Sequence, residues 1–126
     1  MSKHHNKKKG DQAEAAAALF LRAQGFHLID TNFRWKAGEV DIIAKDSADG
    51  YLVFIEVKYR ATEQYGTPSA AVGARKIHKI RQTAQAYLHY KKLGDVDVRF
   101  DIIELMDCYE YSNVAEYKIN HLRSVF

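Results

Sequence analysis

Residues 51–60 read YLVFIEVKYR, and residues 38–44 read GEVDIIA. The first stretch is an almost unbroken apolar and aromatic run, the pattern of a strand covered on both faces. Alternation places Leu52, Phe54, Glu56 and Lys58 on one face and Val53, Ile55, Val57 and Tyr59 on the other. An acid and a base therefore project side by side from a face that is otherwise apolar. Burying charge is costly unless the charges are paired or hold a metal, so this pair needs a reason. The second stretch alternates too, with Val40, Ile42 and Ala44 on one side and Glu39, Asp41 and Ile43 on the other. Ser47-Ala48-Asp49-Gly50 between them is a turn signal. The two stretches read as an antiparallel hairpin whose usual register sets Asp41 across from Glu56 and Lys58.

Working outward, residues 11–24 are alanine-rich and predict a helix capped by Asp11 and stopped by Gly25. Residues 26–34 predict a first strand. Lys36-Ala37-Gly38 predicts a short turn, with Gly38 supplying any positive φ. Thr67-Pro68 reads as the start of a second helix, in which Ile77, Ile80, Ala84, Tyr87 and Leu88 recur at helical spacing. Gly94 ends it, residues 96–105 alternate as a strand, and residues 114–122 form a weaker final strand. The order α-β-β-β-α-β plus a tail strand predicts a single-domain α/β protein, a mixed β-sheet flanked by helices. Residues 1–10 read as a mobile basic tail and residues 11–126 as the domain.

The composition is that of a globular chain: 126 residues, 47% hydrophobic, 28% charged. A single cysteine, Cys108, excludes a disulfide framework and a cysteine-built zinc site. No apolar run approaches the ~20 residues of a membrane helix. The seven residues 15–21 are closed by Glu14 and Arg22, and Asp11 and Glu14 break any likeness to a signal peptide. A cytoplasmic protein is expected. The net charge of +3 resides in the tail, since Lys3, Lys7, Lys8 and Lys9 carry +4 and the rest of the chain nets −1. Within that rest the charges segregate. Residues 64–94 hold Arg75, Lys76, Lys79, Arg81, Lys91 and Lys92 and no acid, whereas residues 101–116 hold five acids and no base.

Asp41, Glu56 and Lys58 converging on one sheet face have a chemical use. Two carboxylates suit Mg²⁺, a hard cation that takes oxygen ligands, and a lysine beside it can position or deprotonate an attacking water. The alternative is a structural ion pair at a sheet end. Glu14 shares a helix face with Ala18 and Leu21, so it can reach a metal, although a surface glutamate fits the same pattern.

The series Glu14-Ala15, Asn32-Phe33-Arg34, GEVDIIA, VFIEVKYR, Gly66, Pro68, Ala71-Val72, Lys76, Arg99-Phe100-Asp101 and the closing His121-Leu122 to Phe126 resembles the YraN, or UPF0102, family. That family is grouped with the Holliday junction resolvase-like PD-(D/E)XK nucleases. The resemblance implies a restriction-endonuclease-like PD-(D/E)XK core with Asp41, Glu56 and Lys58 in the signature positions. It also implies the backbone carbonyl of Val57 as a further metal ligand and Glu14 as an extra helix-borne acid. Val40 stands where the signature has proline, a residue that shapes the strand and bears no chemistry.

Three readings follow. The first is a Mg²⁺-dependent endonuclease (Mn²⁺ as a substitute) acting on DNA, branched DNA in particular, where a homodimer would suit cleavage of two strands. Arg34, Arg60, Arg75, Lys76, Lys79 and Arg81 are its expected phosphate contacts. The second is a nucleic-acid-binding protein that keeps the site but cleaves little. The third is an interaction protein with a structural Glu56–Lys58 pair, to which Tyr109, Tyr111 and Tyr117 would lend interface character.

Overall fold

The computed structural model describes residues 3–36, 38–60, 73–108 and 116–126. Its elements are α1 (Lys3–Ala23), β1 (Phe26–Trp35), β2 (Gly38–Asp46), β3 (Leu52–Arg60), α2 (Ala74–Tyr90), β4 (Val98–Cys108) and β5 (Glu116–Leu122). The strands form one mixed sheet in the order β1-β2-β3-β4-β5. β3 lies at its centre, antiparallel to β2 and parallel to β4. Parallel neighbours require a crossover, and α2 lies within it. The Thr67-Pro68 helix start lies outside the described residues; the helix is seen from Ala74, with Gly73 at its N-cap.

The two faces of β3 have the content that alternation predicts. Val53 and Ile55 join Ile42, Ala44, Ile103 and Leu105 beneath α1, which presents Ala13, Ala17 and Leu21. Leu52 and Phe54 join Val40, Ile43 and the α2 residues Ile80, Ala84 and Tyr87 on the opposite side. The result is a single α/β domain in which each helix covers one face of the sheet.

Four local features depart from the sequence reading. α1 begins at Lys3, not at Asp11, so residues 3–10 continue the helix backwards. Lysine is a good helix former, and extending an existing helix needs no new nucleus. The buried stripe of α1 runs through Ala13, Ala17 and Leu21, so Glu14 stands at its margin rather than on it. The positive φ of the β1–β2 turn falls on Lys36 (52°), not on Gly38. Gly38 serves close approach instead: a Cβ there would lie 2.0 Å from Thr83 Oγ1 and 3.2 Å from the Lys79 carbonyl oxygen of α2. Finally, Val40 packs with Ile43 on the α2 side rather than with Ile42 and Ala44. The reversal falls where the facing residue of β1, Asn32, adopts φ +52°, a conformation tolerated mainly by Asn, Asp and Gly.

Candidate functional site

Strands β2 and β3 pair only from Ile42–Ile55 to Lys45–Leu52. One step further, where that register sets Asp41 opposite Glu56, the ladder has ended and the strands fork. Asp41 itself closes the gap: its Oδ2 accepts the Val57 N–H at 2.7 Å. A carboxylate thus satisfies a strand amide that would otherwise lack a partner. The fork lies towards the carboxyl ends of the parallel pair β3 and β4, where open α/β sheets bind ligands.

Glu56 and Lys58 emerge towards α2, as their alternation with Phe54 requires. Glu56 Oε1 receives two ammonium groups, Lys76 Nζ at 2.7 Å and Lys58 Nζ at 3.7 Å. Burial, and then the neighbouring Lys76 charge, lowers the Lys58 pKa. Lys76 is raised despite burial, because Glu56 accepts its proton in a hydrogen bond. Asp41 feels Lys58 and Lys76 only at a distance, without an ammonium hydrogen bond. Burial first, and the Glu56 charge second, push its pKa up to about 7, with Glu14 and Glu39 acting the same way and the Val57 N–H opposing. Glu14 is raised as well, chiefly by burial, and Asn32 moderates the rise. With its amide nitrogen turned towards the acids, Asn32 donates to Glu14 Oε2 at 3.2 Å and Glu39 Oε1 at 3.3 Å.

Asp41 borders two depressions. The larger, of about 520 Å³, has Gly38, Glu39, Asp41 and Glu56 on its sheet wall. Arg75, Lys76 and Lys79 form its helix wall. The smaller, of about 200 Å³, lies towards α1 between Glu14, Asn32 and Asp41. The structure therefore gathers Asp41, Glu56 and Lys58, and brings Glu14 to Asp41 from the other side of the fork.

The expected phosphate contacts divide. Arg75, Lys76 and Lys79 line the larger cleft. Arg34 is exposed and pairs with Glu39 at 3.5 Å. Arg81 is exposed on α2 but lines neither depression. Arg60 is turned inward, ion-paired to the buried Glu104 at 2.6 Å with only 11% of its side chain accessible. Burial with Glu104 gives Arg60 a structural task in place of a phosphate contact. Tyr117 is half-buried and packs edge-on against Tyr59, at 6.2 Å between ring centres; Tyr109 and Tyr111 lie outside the described residues.

Two participants, Glu39 and Asn32, escaped the sequence reading, and a third, Lys76, was read only in part. Glu39 shares its alternation class with Asp41, which was a usable signal. Lys76 was read as a phosphate contact, but it is also the nearest partner of Glu56, a pairing that joins α2 to β3 across the crossover. Asn32 carried no signal beyond the tolerance of asparagine for positive φ.

The donor set suits a hard divalent cation. It consists of carboxylate oxygens, of which Asp41 and Glu14 are partly desolvated and carry no ion pair among the described residues, and burial raises the pKa of both. Among the described residues no three His, Cys, Asp or Glu side chains are grouped closely enough to hold a metal alone. Mg²⁺ commonly takes one or two carboxylates and completes its shell with water and substrate phosphate, so Asp41 and Glu56 fit that ion. Among the described residues no helix is long and apolar enough to cross a membrane.

The fold and the fork define an α/β domain with an acidic cleft faced by a basic helix. A family model described as "Uncharacterised protein family UPF0102" matches residues 13–105, and the chain belongs to that family. It is 46% identical over 101 residues to a UPF0102 protein of Clostridium acetobutylicum, covering 80% of this chain and 81% of that one. It is 39% identical over 123 residues to one of Alkaliphilus oremlandii, covering 96% and 99%. A third, from Geobacter sulfurreducens, is 45% identical over 102 residues, covering 81% and 78%.

Proposed function

We propose that this protein is a cytoplasmic, Mg²⁺-dependent endonuclease that hydrolyses DNA phosphodiester bonds, selectively on branched DNA, through a PD-(D/E)XK core. The observation that supports it is the fork itself: Asp41 and Glu56 side by side in a cleft whose opposite wall is Arg75, Lys76 and Lys79. Mg²⁺ held there would offset charge on the phosphate and make water a better nucleophile. Asp41 and Glu56 would hold the ion, with the Val57 carbonyl and Glu14 in support. Lys58, beside Glu56 and half-buried, would orient the water and take part in its proton transfer. Arg75 and Lys79 would hold the flanking phosphates by salt-sensitive contacts. Cleaving both strands of a branched substrate takes two such sites, so the proposal includes a homodimer on the DNA. A second reading, DNA binding with little cleavage, is favoured by one fact: Lys58 and Lys76 already balance Glu56.

The test is cleavage of branched, flap, single-stranded and duplex DNA with Mg²⁺ or Mn²⁺. Asp41→Asn and Glu56→Gln should abolish it, and Lys58→Met should slow it by about a hundredfold or more. Undiminished cleavage in Asp41→Asn and Glu56→Gln would remove the nuclease assignment. DNA binding without product in the native protein would select the second reading.

A further inference from the structure

Beyond the acidic cleft, β1 and α2 enclose a groove of about 800 Å³ that the chemistry above does not use. Phe33 and Trp35 form one side, and Gln82, Gln85 and Tyr90 the other. Its aromatic surface is open, with Trp35 36% and Tyr90 70% exposed. The Phe33 ring is tilted towards Tyr90 at 6.4 Å and braced edge-on by Tyr87 at 5.0 Å. Cations sit over the outer rings: Lys36 Nζ is 4.5 Å from the Trp35 ring centre and Lys91 Nζ is 5.5 Å from that of Tyr90. Arg34 and His89 complete the rim, and among the described residues no carboxylate lines the groove.

The groove is not isolated. A smaller cleft of about 190 Å³ adjoins it. That cleft shares Trp35 and Gln82 with the groove, and Gly38 and Lys79 with the acidic cleft. The three depressions thus follow one another along α2, with Gly38 packed against Thr83 and Lys79 between the acidic cleft and its neighbour. From Lys76 to Gln85 the helix advances about 14 Å.

We propose that this groove is a stacking site for the unpaired bases of a single strand whose backbone follows α2 to the acidic cleft. The proposal rests on the reading that nucleic acid is the substrate. Every base has a flat apolar face that aromatic rings accept, and amide side chains such as Gln82 and Gln85 supply both donors and acceptors for base edges. On the rim Lys36 lies over Trp35, while Arg34 pairs with Glu39 at 3.5 Å and Lys91 with Asp30 at 3.7 Å, so a phosphate there would replace those half-exposed carboxylates.

Trp35 is the chain's only tryptophan, so intrinsic fluorescence reports on the groove directly. The full-length protein is titrated in EDTA with a dodecamer of deoxythymidine, and separately with a blunt duplex of equal phosphate count. The single strand should quench Trp35 fluorescence and the duplex should not. By anisotropy of the labelled oligonucleotide, Trp35→Ala and Tyr90→Ala should each weaken binding by about 5- to 150-fold. Trp35→Phe, which keeps a ring, should lose much less, and circular dichroism checks each fold. Unchanged fluorescence in a protein that still binds the single strand would overturn the stacking site alone. Failure to bind either DNA would overturn the nucleic-acid reading and the stacking site with it. Equal quenching by duplex, or a fluorescence change that follows protein concentration without DNA, would assign the groove elsewhere and also overturn the proposal.

Discussion

At the amino ends of β3 and β4, Arg99 is enclosed by Asp49 at 2.6 Å and by Asp46 and Asp101 at 3.0 Å. Arg123 adds a second cation to Asp46 at 3.3 Å, and His121 and the Ser124 N–H complete Asp101 at 2.8 and 3.0 Å. At the other end of the same strands stand Asp41, Glu56 and, across the fork, Glu14. Burial pushes upward on the carboxylates at both ends. At the Arg99 end it is outweighed: the Ala48 N–H and Arg99 hold Asp46 low, and His121 and Arg99 hold Asp101 low. At the fork it prevails, and Asp41 is pushed up to about 7. The contrast teaches that a buried acid's chemistry depends on whether cations fill its surroundings. In one cluster every acid meets a cation directly; in the other, Lys58 and Lys76 meet Glu56 and leave Asp41 to the Val57 N–H.

Breaking the Arg99 cluster should have the largest effect. Arg99→Met leaves Asp46 and Asp101 buried without their main partner, and should cost roughly 3–5 kcal/mol in urea unfolding. Little or no loss would erase the distinction between the two ends. Gly38→Ala comes next, because the added methyl collides with Thr83 and the α2 backbone. A loss of about 1–3 kcal/mol is expected, and Thr83→Ala in the same chain should recover part of it. A smaller effect separates the clusters by pH. Asp46 and Asp101 have depressed pKa values when folded, so their contribution is present above the unfolded value and disappears as pH falls through the folded ones. Asp41 is raised, so its contribution is full below the unfolded value of about 3.9 and is lost as pH rises towards 7. In chelator, the urea midpoint should therefore decline on both sides, and Asp41→Asn should flatten only the upper decline. Added Mg²⁺ should reverse that upper decline in the native protein. Least of all should be Arg34→Ala, which removes an exposed pair with Glu39 and should shift stability by no more than about 0.5 kcal/mol.

The face assignment of β3 was legible because alternation is a local geometric rule: Phe54 facing α2 compels Glu56 and Lys58 to face it too. The register of the hairpin was legible for the same reason, and it put Asp41 opposite Glu56. Val40 was misassigned because alternation assumes a regular strand, and β2 departs from it beside Asn32. Arg60 and Arg99 were opaque: one was read as a phosphate contact and the other had no assigned role, yet each pairs with acids from other strands or turns.

The order of residues thus determined which segments become strands and helices and which side chains share a face, since both follow from backbone periodicity within a few residues. Tertiary structure alone decided which charges meet. Lys76 reaches Glu56, Arg99 gathers Asp46, Asp49 and Asp101, and Asp41 is set beside Glu56, Glu14 and Glu39. Coulomb interactions depend on separation in space, and a folded chain sets that separation without regard to distance along the sequence.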